Sequence, residues 1–246
     1  MKLLVIGESC VDRFVYCEAK RLSPEAPVPV LTPLYTIENP GMAGNTIENI
    51  KAIALEGCEM NWVTQKSKIT KTRYVEEKSN HMFLRVDEGE DFNCSFKWNS
   101  NMDVSLDQAD IVVVSDYDKG WLSNDDIKKI GRKSKLSILD SKRKLTNDMI
   151  ENYTFVKLNE SERLNNPDLT TDNIITTLGK RGAEYKNILF ESPVPQDTID
   201  VSGAGDTFTA AFIVRYFETK DERIAIKYAN QKASEVVSRR GVVTPE

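Results

Sequence analysis

The chain has 246 residues, 40% of them hydrophobic and 29% charged. That is enough chain for one large domain or a domain with an appendage, and a composition that buries a sizeable core and excludes disorder as the main state. Lysine and arginine number 33 against 38 aspartates and glutamates, a net charge of −5, which argues against a general nucleic-acid or membrane-surface binder; an anionic substrate has to be caught locally.

The four cysteines, Cys10, Cys17, Cys58 and Cys94, form no C-x-x-C pair and the start carries no secretory pattern, the expectation for reduced thiols in a cytoplasmic protein. No apolar run in the sequence is long enough to span a bilayer, so no membrane partner is expected. A single histidine, His81, removes histidine-rich zinc sites, and its alternating surroundings fit a surface residue better than a catalytic base.

In chain order, Leu3 to Ile6, ending at Gly7, reads as a buried strand with Asp12 just past its end. From Arg21 to Asn39 the prolines at 24, 27, 29 and 33 forbid a central strand while the apolar residues between them favour an edge ribbon or lid. Gly44 to Glu56 has helical spacing and stops at Gly57. Thr72–Glu77 and Met82–Val86 read as extended additions near the lid; the lid strands together are expected over about 16–39 and 71–87 of a single domain spanning 1–246.

Ile111–Val114, Ser137–Leu139, Phe155–Leu158 and Ile174–Thr177 are apolar strands, each followed by polar residues, and Ser123 with Asp126 forms an approximate capping box for a helix to about Lys133. Strands alternating with helices imply a mostly parallel sheet covered on both faces, with ligands at the strands' C-terminal ends. Two helices, Gly205 to about Phe217 and Asp221 to about Ser238, close the chain.

The sharpest local feature is Asp200-Val201-Ser202-Gly203-Ala204-Gly205-Asp206-Thr207, a small-residue turn opening an apolar helix. Its exposed N–H groups and the helix dipole favour an anion, and the same groups should keep Asp206 ionised. A carboxylate beside an anion hole is what phosphoryl transfer to a hydroxyl needs, although the octapeptide alone fits equally an aspartate that merely favours a helix start. No G-x-x-x-x-G-K-[ST] loop is present; Thr177-Leu178-Gly179-Lys180-Arg181-Gly182 is a weaker phosphate or ribose turn.

Ordered segments along nearly the whole chain carry a resemblance: Arg21-Leu22-Ser23-Pro24-Glu25-Ala26-Pro27-Val28-Pro29-Val30, Pro40 to Asn45, Lys71-Thr72-Arg73, Leu84 to Asp87, Ser115 to Gly120, Asn159 to Glu162 and Asp200 to Thr207. The chain resembles the ribokinase/PfkB family of sugar kinases and, within it, the bacterial heptose-7-phosphate kinases. The resemblance implies an α/β three-layer sandwich with a mostly parallel central sheet and a small β-lid, and an ATP- and Mg²⁺-dependent kinase acting on a sugar phosphate, a heptose 7-phosphate at its anomeric hydroxyl. Another carbohydrate or nucleoside kinase of this type, or a shortened non-catalytic relative, stands as the alternative.

By the same resemblance Asp206 is the catalytic base with Gly203, Ala204 and Gly205 as its anion hole. Asn159 and Glu162 organise Mg²⁺ through water; Thr177, Gly179, Gly182 and Asn230 border the nucleotide. Asp12, Gly41 and Asn45 hold sugar hydroxyls and Lys142 contacts phosphate. Separately, the apolar Val28, Val30 and Leu34 of the proline-rich edge ribbon, which a lone ribbon would leave exposed, give the expectation of a homodimer through the lid. Met42 stands where relatives have a second glycine, and a strand–helix segment is missing after Gln65.

Overall fold

The computed structural model describes residues 1–54, 56–90, 95–193, 201–239 and 243–245; Cys94 and Asp200 fall outside them. The apolar runs pair into one eight-stranded sheet. Its strands are β1 (Lys2–Gly7), β4 (Glu59–Val63), β7 (Ile111–Asp116), β8 (Ser137–Ser141), β9 (Phe155–Asn159), β10 (Ile174–Thr177), β11 (Ala183–Tyr185) and β12 (Ile188–Phe190), in the order β12-β11-β10-β9-β8-β7-β1-β4. From β4 to β10 neighbours are parallel, while β11 and β12 add antiparallel at one edge.

Alternate residues of the buried strands feed two cores. Leu3, Val5, Ile111 and Val113 pack with α1 (Ala43–Ile53), α6 (Ala204–Thr219) and α7 (Glu222–Val237). Leu4, Ile6, Val112 and Val114 pack on the other face with α2 (Ser100–Gln108), α3 (Asn124–Lys133) and the short α4 (Asn147–Ile150). This period-two division is why the strands read as unbroken apolar runs: both faces are covered. Each fully buried Leu, Ile or Phe contributes about 1.5–3 kcal/mol, and α6, buried without interruption from Asp206 to Val214, is held at the centre of its layer. The Ser123–Asp126 capping box that begins α3 is present in full.

The second sheet is the lid, ordered β3-β2-β5-β6, from β2 (Ser9–Leu22), β3 (Pro29–Met42), β5 (Thr70–Glu76) and β6 (Met82–Glu88). The proline-bearing β3 lies at an edge, paired with β2 alone, as prolines without N–H donors require. The lid begins at Ser9, well before residue 16, and Asp12 lies inside β2 rather than in a turn after β1. Asp12 and Arg13 hide the strand in the sequence, but each charge is matched across strands, by Arg73 and by Glu38 respectively.

Glu8 joins the two sheets. It is fully buried, and its carboxylate accepts the backbone N–H groups of Tyr117 at 2.9 Å and Lys119 at 3.1 Å. Burial raises its pKa and these N–H groups oppose the rise. The loop after β7 is thereby fixed against the start of the lid. The helix expected over 44–56 is Ala43–Ile53; the short α5 (Glu160–Asn165), β11 and β12 were not expected, being too short for a periodic signal.

Candidate active site

Gly203 caps α6 with φ of 82°, a left-handed conformation that glycine adopts without strain. The turn hands its chain into α6 so that Asp206 sits in the first helical turn, 7% exposed. One Asp206 oxygen accepts from Asn45 Nδ2 at 2.8 Å and the other from the Tyr117 hydroxyl at 2.8 Å. Asn49 Nδ2 donates to Asn45 Oδ1 at 3.0 Å, and Thr207 Oγ1 donates to Asn49 Oδ1 at 2.7 Å. With its oxygen occupied, the Asn45 amide is oriented to donate to Asp206.

Burial, and next the charge of Asp140, push the Asp206 pKa up to about 6, against the lowering effect of the Asn45 and Tyr117 hydrogen bonds and of Lys157. The sequence-based expectation that the helix terminus keeps this carboxylate ionised took no account of burial, which raises its pKa. At neutral pH the group remains largely ionised and close enough to its pKa to take up a proton, the range suited to a general base.

Two cavities meet here. One, of about 520 Å³, is lined by Asn159, Thr177, Gly179, Gly182, the Gly203–Asp206 turn and Asn230. The other, of about 350 Å³, lies under the lid and is lined by Asp12, Met42, Asn45, Lys71, Arg73, Arg85 and Lys119. Tyr117, Lys142, Gly203 and Asp206 line both. The second cavity carries five cations. Arg73 pairs with Asp12, Arg85 with Asp87, and Lys71 and Lys119 both with Glu90. Lys142 Nζ lies 3.1 Å from Glu162 and 4.8 Å from the Tyr117 ring centroid. Burial opposes its charge, but the carboxylates of Asp140 and Glu162 outweigh burial and hold its pKa above the usual lysine value.

A cavity of about 520 Å³ and a cationic cavity thus join at a helix-terminal carboxylate. The profile of the pfkB family carbohydrate kinases matches residues 48–246. The chain belongs to the pfkB family of carbohydrate kinases. It is 27% identical to the bifunctional protein HldE of Nitratiruptor sp. over 99% of this chain and 63% of that protein. It is 26% identical to the bifunctional protein HldE of Helicobacter pylori, over 98% and 63%. The chain thus spans less than two thirds of the length of these relatives. In fold it is similar to ribokinase of Thermotoga maritima, with a TM-score of 0.75, 16% identity and coverage of 98% and 94%. Ribokinase of Arabidopsis thaliana, solved with ribose and ATP, gives 0.71, 14%, 98% and 93%.

The remaining sequence-derived residues of this pfkB-family kinase are distributed unevenly. Gly41 is not among the lining residues: a Cβ there would lie 2.2 Å from Asp12 Oδ2, so its glycine makes room for the Asp12 carboxylate. Asn159 and Glu162 form a reciprocal capping box at the start of α5; Asn159 lines the larger cavity, while Glu162 stands behind it, paired with Lys142. Asn230 lines the cavity but spends its amide on the Phe190 carbonyl, at 2.7 Å, tying α7 to the end of β12. Sequence reasoning assigned no role to Tyr117, Lys71, Arg73, Arg85 or Lys119, although all lie in the segments that carry the resemblance. Lys157 had only one signal, a charge inside an apolar strand.

Among the described residues no group of three or more His, Cys, Asp or Glu side chains could hold a metal ion, and no helix is long and apolar enough to cross a membrane.

Proposed function

We propose that this kinase transfers the γ-phosphoryl group of ATP to a phosphorylated sugar, a heptose 7-phosphate at its anomeric hydroxyl. The observation that carries this reading is the joining of the two cavities at Asp206, the second lined by five cations against the carboxylates of Asp12 and Asp206, a lining that suits a phosphorylated acceptor better than a neutral nucleoside or sugar. The HldE likeness supports the heptose.

In this reading Asp206 takes the proton of the acceptor hydroxyl as it attacks, and the N–H groups of Gly203, Ala204 and Gly205 stabilise the charge on the moving phosphoryl. Lys142, lining both cavities, follows that charge from donor to acceptor. Thr177, Gly179 and Gly182 border the nucleotide in the larger cavity, with Asn230 holding the β12 end of its wall. Asp12 and Asn45 face the acceptor, and Lys71, Arg73, Arg85 and Lys119 surround its phosphate. The oxygen donors of Asn159 and Glu162 fit Mg²⁺ held through water and the nucleotide phosphates rather than in a protein cage. When bound, the ion neutralises phosphate charge.

Transfer of labelled phosphate from ATP to heptose 7-phosphate, compared with hexose and pentose phosphates and with nucleosides, tests this. Turnover of nucleosides in preference to every sugar phosphate would reject it. The lid exposes Val28, Leu34, Tyr35, Ile37, Met82 and Leu84. Such apolar strands invite pairing, and a homodimer through the lid follows; a monomer mass by light scattering at micromolar concentration would count against the dimer.

A further inference from the structure

Beneath the glycine turn lies an ion pair that the proposed reaction does not use directly. Lys157 and Asp140 are 3% and 6% exposed, and Lys157 Nζ sits 3.1 and 3.0 Å from the two Asp140 oxygens. Thr209 Oγ1, on the helix of the proposed base, donates to Asp140 Oδ2 at 2.8 Å. A Cβ on Gly205 would come within 3.0 Å of Lys157 Nζ. The pair is therefore pressed against the first turn of α6, and the lysine lines the nucleotide cavity.

We propose that Lys157 is a positioning residue for the proton acceptor, cancelling the charge of Asp140 so that Asp206 can be ionised at neutral pH. A buried ion pair is a poor source of stability, because apolar residues of similar volume do as well or better. Its placement calls for another reason, and the neighbouring carboxylate supplies one. Asp140 raises and Lys157 lowers the proton affinity of Asp206. The other groups facing Asp206 are Cys10 and Asp12 from β2, Asn45 from α1, Tyr117 from the end of β7, Lys142 from the end of β8 and the cavity cations Lys71, Arg73, Arg85 and Lys119. Cys10, with its pKa driven up to about 12 by burial and by Asp12, and Tyr117, raised well above 10.0 by burial and then Asp206, are neutral at working pH. This pair also hydrogen-bonds the helix that carries Asp206, through Thr209, and removing one of its side chains reverses the sign of its influence.

The test uses Lys157→Met, Asp140→Asn, the double variant and Lys157→Arg. The first readout is the pH at which the Asp206 carboxyl titrates by carbon NMR in the protein without nucleotide, its signal assigned by loss in Asp206→Asn. The second is the acidic limb of kcat/KM for the acceptor at saturating ATP. Only the kinetic readout rests on the kinase reading, so a protein with no turnover still tests the proposal by NMR.

Lys157→Met is expected to move the titration up by about one pH unit and Asp140→Asn to move it down, as for a single nearby charge. The double variant and Lys157→Arg are expected to stay close to the parent protein. If Lys157→Met does not fold, Asp140→Asn and the double variant carry the test. An Asp206 titration that stays put in the folded single variants overturns the proposal, as does a Lys157→Met whose sole effect is a higher KM for ATP.

Discussion

Replacing Asp206 by asparagine should weaken catalysis and strengthen the fold. The carboxyl is raised from 3.8 to about 6 by burial and Asp140. A difference of about two pH units, at 1.36 kcal/mol per unit, makes ionising it in the folded protein cost ~3 kcal/mol more than in the unfolded chain. With the folded pKa above the unfolded one, the folded state is favoured at low pH and this contribution is lost as pH rises from the unfolded value through about 6. An asparagine carries no such cost, but it has one acceptor oxygen for the two donors, Asn45 Nδ2 and the Tyr117 hydroxyl. The mismatch returns about 1–2 kcal/mol. Urea unfolding at a series of pH values from 4 to 8 is the assay. The variant should gain stability relative to the parent as pH rises, ending ~1–2 kcal/mol ahead at pH 8, while kcat falls ~100- to 10,000-fold with ATP still bound. A stability difference that does not change between pH 4 and pH 8 would refute the electrostatic reasoning, and near-normal kcat would refute the base assignment.

Arg85→Met should lower kcat/KM for a sugar phosphate ~10- to 100-fold, as expected for one lost charged hydrogen bond, with KM for ATP unchanged; an equal effect on both substrates would place Arg85 outside the acceptor subsite. Glu162→Gln should raise the Mg²⁺ concentration needed for half-maximal rate, since it removes a charge behind the nucleotide cavity and frees Lys142; an unchanged Mg²⁺ titration leaves Glu162 with only its capping role. Met42 is buried with φ of 58° and ψ of −132°, backbone that costs a non-glycine residue about 1–3 kcal/mol. Met42→Gly should therefore be more stable than Met42→Ala by about that amount in thermal or urea unfolding, and equal stabilities would show that the backbone there is unstrained.

How much of this was legible in the sequence depended on the range of the interaction. The strands β1, β7, β8, β9 and β10 announced themselves because both their faces are covered, so apolar residues run on without alternation. The α6 start was legible because the glycines and Asp206 are adjacent in the chain, and the Ser123–Asp126 cap because its partners are three residues apart. The prolines alone put β3 at an edge. By contrast β2 was read as beginning late, because the partners that neutralise Asp12 and Arg13 lie 61 and 25 residues away.

The sequence by itself determined the alternation of strands and helices, the anion-binding turn and the carboxylate at its end, all consequences of local spacing and backbone chemistry. Tertiary structure decided what that carboxylate experiences. Asn45, Tyr117, Asp140 and Lys157 come from four different elements to surround Asp206, and the lid folds Lys71, Arg73 and Arg85 over the second cavity. Charge interactions depend on distance and on exclusion of water, and neither exists until the two sheets and their helices close around the site.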